Sequence, residues 1–471
     1  MTVRQIHLWS LLAFALLLRL ISLATYPLMD TTEARYGEMA RLMVETGNWL
    51  TPQFDYGVPF WGKPPLFTWM SATGIQVFGL NEFAVRVPHW FAGVLTICLI
   101  GFLAKKTNNN PVVAAIVVAT CGIFTIASGA VMTDMALTLA LTIAMVGFYL
   151  CWLQKDEHAQ KWGYAGFFGL ACGLLAKGPV ALVIMAIAVV PWLMLQHGFW
   201  GAFKQLWQRF PILSGSALML VVALPWYVLA EIATPGFLDY FIVGEHFNRF
   251  VVSGWEGDLY GNAHDRPRGT IWLFWLQSAL PWSLILPVLI WKKRTQKHDI
   301  EKGHTGLFSF LIFWLLSPLL LFTLSGNILP AYVLPGVPAI GVLIAMLVTQ
   351  KDFKWLWGAS ALIPVMLMIA LLVLNMGKAD SRSDRIIFEN TLPELPVFYV
   401  GKRPFSGQFY SRGQAKLLQG ADILPSLSQY HLIGHPEQVT ALIVQNSLSC
   451  TVDLESQSGR SLYTCSNTHG E

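Results

Sequence analysis

The sequence predicts an all-α polytopic membrane domain followed by a small α/β domain outside the membrane. Three observations carry this. Of 471 residues, 55% are hydrophobic and 12% charged, against about 25% charged in a soluble globular chain. Eleven apolar runs approach the roughly 17–25 residues that cross a bilayer core: about 6–25, 88–104, 111–131, 135–153, 162–176, 178–196, 210–232, 270–291, 305–325, 330–348 and 355–375. After Asn375 the chain turns polar, with short apolar stretches at Val397–Val400, His431–Ile433 and Leu442–Val444. The expected division is a transmembrane domain over 1–376 and an α/β domain over 377–471, with interfacial helices in the loop 26–87. Broken segments allow 11–13 spans.

Taken in order, the first run reads as a span and not as a cleaved signal, because it lacks a small-residue cleavage site and enters a polar loop directly. Arg19 lies near its outer end, where an arginine snorkels or pairs with a loop acid. Phe60, Trp61, Phe67, Trp69 and Phe78 mark a helix lying in the membrane interface. Lys177-Gly178-Pro179 interrupts the stretch 162–196 and reads as a tight turn at the membrane surface. The connections alternate in charge. One set is short and basic: Arg4; Lys105 and Lys106; Lys155 and Lys161; Lys204 and Arg209; Lys292 to Lys302; Lys351 and Lys354. Such loops face the cytoplasm. Eleven spans then place the N-terminus inside and the C-terminus outside. The net charge of +4 reads as a topology signal, with no nucleic-acid partner expected.

Every polar motif falls on the other, outer side. The loop Asp30–Gly79 carries Asp30, Glu33, Arg35, Glu38, Arg41, Glu45, Asp55 and Lys63 in a chain with few charges elsewhere. Its pattern is Glu33-Ala34-Arg35-Tyr36, Glu38, Arg41, Gly47-Asn48-Trp49, Pro52, Gly62-Lys63-Pro64-Pro65-Leu66, Trp69, Gly79, Glu82-Phe83-Ala84 and Arg86. Further along stand Thr133-Asp134, Ala176-Lys177-Gly178-Pro179, Glu245-His246-Phe247-Asn248-Arg249-Phe250 and Ser325 to Pro338. In order and spacing this resembles the bacterial lipid-linked-sugar glycosyltransferases of the GT-C fold. It is similar in particular to the 4-amino-4-deoxy-L-arabinose lipid A transferases, which belong to the wider protein O-mannosyltransferase superfamily. The resemblance covers roughly residues 1–345, and the tail more weakly, through Phe409-Tyr410-Ser411-Arg412-Gly413.

The resemblance implies an inverting transferase of the bacterial inner membrane. It would move a sugar from an undecaprenyl-phosphate donor to a periplasmic lipid or glycan acceptor, lipid A or lipopolysaccharide core being favoured. Asp30 would activate the acceptor, with Glu33 as partner or as the catalytic carboxylate itself. The relatives carry the acid directly before the Glu, where this chain has Thr32. Asp134 corresponds to an acid in their second outer loop. Lys63, Arg249, Lys177 and Tyr332 would hold the donor phosphate, and cations at that depth can stabilise a departing phosphate. Arg35, Tyr36, Glu245 and His246 would support them. Asn327 stands near the place where the relatives have a lysine.

Each assignment has a structural alternative. Asp30-Thr31-Thr32-Glu33 can simply start a helix, with a threonine cap and acids in the first turn. Asp134 can open the next helix. Lysines and arginines snorkel at interfaces, and Tyr332 can belong to an aromatic belt. No cofactor is predicted. His264, eighteen residues beyond His246, makes no recognisable zinc spacing, while a divalent ion shared by carboxylates stays open. Cys450 and Cys465 are the cysteines outside the spans; in an oxidising compartment they would pair, two free thiols being the alternative. The rival functions are a protein O-mannosyltransferase and, from another class, a transporter or lipid flippase. The last predicts ionisable residues near the bilayer midplane and repeated halves, and the sequence shows charges at one surface and no clear repeat.

Overall fold

A computed structural model of the chain describes residues 3–154, 158–261, 264–294, 306–420, 424 and 426–466. Lys155, Lys297 and Lys302 of the basic loops lie outside the described residues. Each of the eleven apolar runs is built as helix, as a backbone in lipid must be to satisfy its own N–H and C=O groups.

The count of spans differs from the 11–13 expected. Among the described residues seven helices are long and apolar enough to cross a membrane, or eight if the pair Thr270–Ser278 and Trp282–Lys292, bent by 95°, is one span. The chain breaks or dilutes the others. The run 111–131 splits into Pro111–Ala119 and Gly122–Ala127. Leu307–Thr323 is apolar but has 17 residues. Ala159–Lys177 has 19 residues, but Gln160, Lys161 and four glycines lower its hydropathy. Buried tryptophans donate to main-chain carbonyls at or near helix ends, since a buried indole N–H needs an acceptor. Trp282 donates to Thr120 O (3.2 Å), Trp192 to Gly306 O (2.9 Å) and Trp314 to Pro335 O (2.8 Å).

One helix pair sets up the site. Thr133–Leu153 and Ala159–Lys177 pack as an antiparallel hairpin with backbones nearly touching. A Cβ on Gly147 would lie 2.7 Å from Trp162 O, and one on Gly169 2.7 Å from Ala140 O. Small residues permit this approach where no hydrophobic effect drives association. The hairpin brings Asp134, at the start of the first helix, beside Lys177, at the end of the second.

The loop 26–87 is ordered into the helix Thr32–Thr46, the hairpin β1 (Gln53–Asp55) and β2 (Val58–Pro59), and the helix Leu66–Phe78. Gly47, at φ 68°, closes the first helix in the left-handed conformation that glycine adopts freely. Asn81 caps the next span by accepting the Ala84 N–H at 2.8 Å.

The tail forms a mixed five-stranded sheet, order β4-β3-β5-β7-β6, from β3 (Val397–Tyr399), β4 (Lys416–Leu417), β5 (Gln429–Gly434), β6 (Ser449–Glu455) and β7 (Ser461–Ser466). The strand β3 runs parallel to β4 and β5, and β7 antiparallel to β5 and β6. The helices Phe405–Tyr410 and Pro436–Gln445 connect strands. Cys450 and Cys465 face each other across β6 and β7 and are disulfide-bonded. The tail seats on the loop 26–87. Arg403 pairs with Asp55 at 2.6 Å, and the Tyr410 hydroxyl accepts the Leu28 N–H at 2.8 Å and donates to Glu82 at 2.9 Å.

Candidate active site

One cavity of about 1660 Å³ lies where the loop 26–87, the ends of the spans nearest it, residues 245–261 with His264, and the tail meet. Asp30, Arg35, Tyr36, Lys63, Asp134, Lys177, Glu245, Arg249 and Tyr332 all line it. Residues separated by up to about three hundred positions thus converge on one space, the arrangement expected of a substrate site.

Three of the expected donor-site cations are held by carboxylates. Lys177 Nζ lies 2.6 Å from Asp134 Oδ1, both groups buried, and 4.2 Å from the centre of the Tyr332 ring. Lys63 and Arg249 share Glu245, at 2.7 and 2.9 Å, and Arg249 also meets Asp258 at 3.2 Å. Glu245 sits in a π-helical turn, Asp239–Asn248, one helical turn before Arg249. Burial opposes its ionisation, but Lys63 and Arg249 outweigh that and hold its pKa down at about 2. Burial likewise opposes the charge on Arg249, and Glu245 more than restores it. Arg249 Nε is buried and makes no hydrogen bond to the described residues. His246 does not line the cavity. Its ring bridges Phe241 O (2.8 Å) and Lys177 O (3.1 Å), tying the end of one span to the segment that carries Glu245.

Asn327 also works on backbone. Its Nδ2 donates to Arg249 O (2.6 Å) and Val252 O (2.8 Å), so it anchors the Arg249 loop and adds no charge. Arg35 donates to Tyr260 O at 2.6 Å, and Tyr36 packs edge-on against Phe67 with centroids 4.6 Å apart.

The two candidate carboxylates of the first loop separate. Glu33, expected beside Asp30, turns away from the cavity and binds Arg86 Nε and Nη2 at 2.8 and 2.9 Å. Arg86 is fully buried and also donates to the carbonyls of Leu23, Tyr26 and Pro27. A buried guanidinium at that position requires a counter-ion, and Glu33 is it. Asp30 lines the cavity and has no ion-pair partner among the described residues. The other cavity acids all do: Asp55 has Arg403, Asp134 has Lys177, and Glu245 and Asp258 have Arg249. The Asp30 carboxylate instead accepts the N–H and the hydroxyl of Ser406. Burial raises its pKa above the ordinary value, and the Ser406 hydrogen bonds work against that shift. Arg19 is buried in the first span on Ser22 Oγ (2.7 Å) and Ile126 O (3.0 Å), a structural role.

Sequence reasoning missed Asp258 and Tyr260, and the whole tail contribution: Arg382, Lys402 and Lys416 line the cavity, and Ser406 binds the Asp30 carboxylate. Only Phe409–Gly413, just beyond Ser406, gave a signal there. Among the described residues no group of three or more His, Cys, Asp or Glu side chains is placed to hold a metal ion.

Residues 6–241 match the family described as dolichyl-phosphate-mannose-protein mannosyltransferase. The undecaprenyl phosphate-alpha-4-amino-4-deoxy-L-arabinose arabinosyl transferase of Erwinia tasmaniensis is 32% identical over 338 residues, 70% of this chain and 57% of that protein. Enzyme 1 of the same name from Pseudomonas fluorescens is 29% identical, over 72% of this chain and 56% of its own length. The Aeromonas salmonicida protein is 30% identical over 79% of this chain and 67% of its own. The chain thus spans little more than half the length of the first two curated relatives. Among solved structures, ArnT from Cupriavidus metallidurans bound to undecaprenyl phosphate superposes with a TM-score of 0.75, covering 98% of both chains at 18% identity. The archaeal oligosaccharyltransferase AglB from Archaeoglobus fulgidus gives 0.52 at 11% identity, over 91% of this chain and 69% of that one. At these identities the likeness shows a shared fold.

Proposed function

The chain belongs to the dolichyl-phosphate-mannose-protein mannosyltransferase family, and from that premise we propose that it is an inverting glycosyltransferase. It takes a sugar from an undecaprenyl-phosphate carrier, as the names of its relatives suggest, and passes it to an acceptor at the same membrane surface. We read residues 1–376 as the membrane-embedded transferase and 377–471 as a periplasmic domain. The alternation of basic and acidic loops supports an inner-membrane protein with a cytoplasmic N-terminus and a periplasmic site.

The observation that carries the reading is that, among the described residues, Asp30 is the cavity acid left without a cation, facing a cavity whose other acids are paired. A paired carboxylate is a poor base because its partner stabilises the charged form, whereas Asp30 keeps a basicity that a proton transfer can use. An acceptor hydroxyl approaches the anomeric carbon opposite the phosphate. Its oxygen forms the new glycosidic bond as the bond from that carbon to the phosphate oxygen breaks. The hydroxyl proton goes to Asp30, and the electron pair leaves on the carrier phosphate. That phosphate gains a negative charge as it departs, and Lys63, Arg249 and its free Nε, and Lys177 with Tyr332 supply cations and donors for it. An acceptor phosphate already carries the attacking charge, and Asp30 then orients the sugar. Arg382, Lys402 and Lys416 add exposed cations to the tail side of the cavity. They support an anionic acceptor such as lipid A over a polypeptide.

Mass spectrometry of envelope lipids from a deletion strain, complemented with wild type or with Asp30→Ala, tests this. The expected result is a sugar mass absent from lipid A or core in both the deletion and the variant, with the lipid-linked donor accumulating. Unchanged glycans and donor in the deletion strain would refute the proposal.

A further inference from the structure

Asp30 is held almost entirely by residues that follow it by more than 350 positions. Its main-chain N–H donates to Arg382 O at 2.8 Å. One carboxylate oxygen accepts the Ser406 N–H at 3.1 Å, and the other accepts the Ser406 hydroxyl. Ser406 is fully buried at the start of the helix Phe405–Tyr410. Its own oxygen accepts the N–H of Asp384 at 3.1 Å. A serine hydroxyl has one proton to give. With the Asp384 N–H occupying a lone pair, that proton is directed at Asp30.

Asp384 is in turn held from several sides. It is fully buried and accepts from Arg460 Nε and Nη2 at 2.7–2.9 Å, from the Tyr399 hydroxyl at 2.8 Å and from Ser458 Oγ at 3.1 Å. The tail therefore presents Ser406 from a braced network on its own sheet.

We infer that Ser406 is a positioning residue for sugar transfer: it fixes the Asp30 carboxylate at the cavity wall, so that the tail domain completes the active site. The inference rests on the role given to Asp30 under Proposed function. Its chemical logic is that a buried carboxylate needs compensation, and the kind of compensation decides what it can do. A lysine or arginine would hold the proton off. Two neutral donors fix the geometry and leave the group able to take a proton. The charged groups that act on Asp30 are Asp384, which disfavours its ionisation, and Arg460, which favours it. They are paired with each other at 2.7 Å and largely offset.

The test compares full-length wild type, Ser406→Ala, Ser411→Ala and Asp30→Asn in detergent. The substrates are undecaprenyl phosphate-α-4-amino-4-deoxy-L-arabinose and lipid A. Ser411 is buried at the opposite end of the same helix and donates to Gln408 O without touching Asp30, so it controls for damage to the tail. Ser406→Ala should lower kcat about tenfold or more, the usual consequence of losing a hydrogen bond to a charged group, with the KM for donor within about twofold. The acid limb of its kcat profile should move to higher pH, because the lost bond favoured the carboxylate. A second readout does not need turnover. Labelling of the protonated Asp30 by a hydrophobic carbodiimide, followed by peptide mass spectrometry, should reach half-extent at a higher pH in Ser406→Ala than in wild type or Ser411→Ala. An unshifted labelling curve, or a wild-type kcat, in Ser406→Ala overturns the inference. If Asp30→Asn is then inactive, the role of Asp30 stands alone; if Asp30→Asn turns over like wild type, that role fails and takes this inference with it.

Discussion

Replacing Glu245 by glutamine probes the charge structure of the cavity most directly. Glu245 has a side chain 3% exposed and is shared by Lys63 and Arg249. Its pKa is held down at about 2 against an ordinary 4.5, which at about 1.36 kcal/mol per pH unit corresponds to a contribution of about 3 kcal/mol to folding. Truncating one partner of a buried ion pair independently costs about 3–5 kcal/mol, so two routes agree on the size. The sign follows from linkage. A carboxylate whose folded pKa is depressed contributes its full stability above its unfolded pKa and loses it as pH falls through the folded value. Wild type should therefore exceed Glu245→Gln in thermal stability at pH 7 by an amount equivalent to about 3 kcal/mol. The gap should shrink from about pH 4.5 toward pH 2. Intrinsic tryptophan fluorescence during heating in detergent, at pH 7 and at successively lower pH, measures it. A gap that does not change with pH would falsify the ion-pair account, and so would its absence at pH 7. Lys63 and Arg249 would also lose their shared counter-charge, so the KM for donor should rise in the same variant.

Glu33→Gln should destabilise the fold by about 3 kcal/mol or more, because it strands the buried Arg86, while molecules that remain folded keep wild-type kcat; a selective loss of kcat at full stability would return Glu33 to the chemistry. Asp134→Asn and Lys177→Met should be strongly non-additive, with a coupling of about 1–3 kcal/mol in a double-mutant cycle on donor affinity; independent effects would show that Lys177 meets the donor without Asp134. Replacing both Cys450 and Cys465 by serine removes a cross-link of 15-residue separation. The chain-entropy account expects a loss of about 3 kcal/mol, read as earlier proteolysis of the tail while donor affinity stays unchanged.

Much of the architecture was legible in the chain because it is written locally. Hydropathy marks a span by twenty neighbouring residues, and the change of composition after Asn375 marks the tail. The crowded loop from Asp30 to Gly79, read for its order and spacing, led to the family. The count of spans was less legible. Whether an apolar run stays one straight helix depends on tertiary partners such as Trp282, which donates to Thr120 O at the break between two helices.

Roles within the site were beyond the sequence for a physical reason. An acid and its counter-ion are assigned by closeness in space, and here the partners lie far apart in the chain: Glu33 with Arg86, Asp134 with Lys177, Lys63 with Glu245, Asp30 with Ser406. The sequence by itself determined that acids and cations stand in a few motifs between apolar runs. Only the tertiary structure decided which of them neutralise one another, which cavity carboxylate has no ion-pair partner among the described residues, and that the tail reaches it through Ser406. Charge pairing in a buried site is a property of distance and dielectric, and neither is encoded in residue spacing.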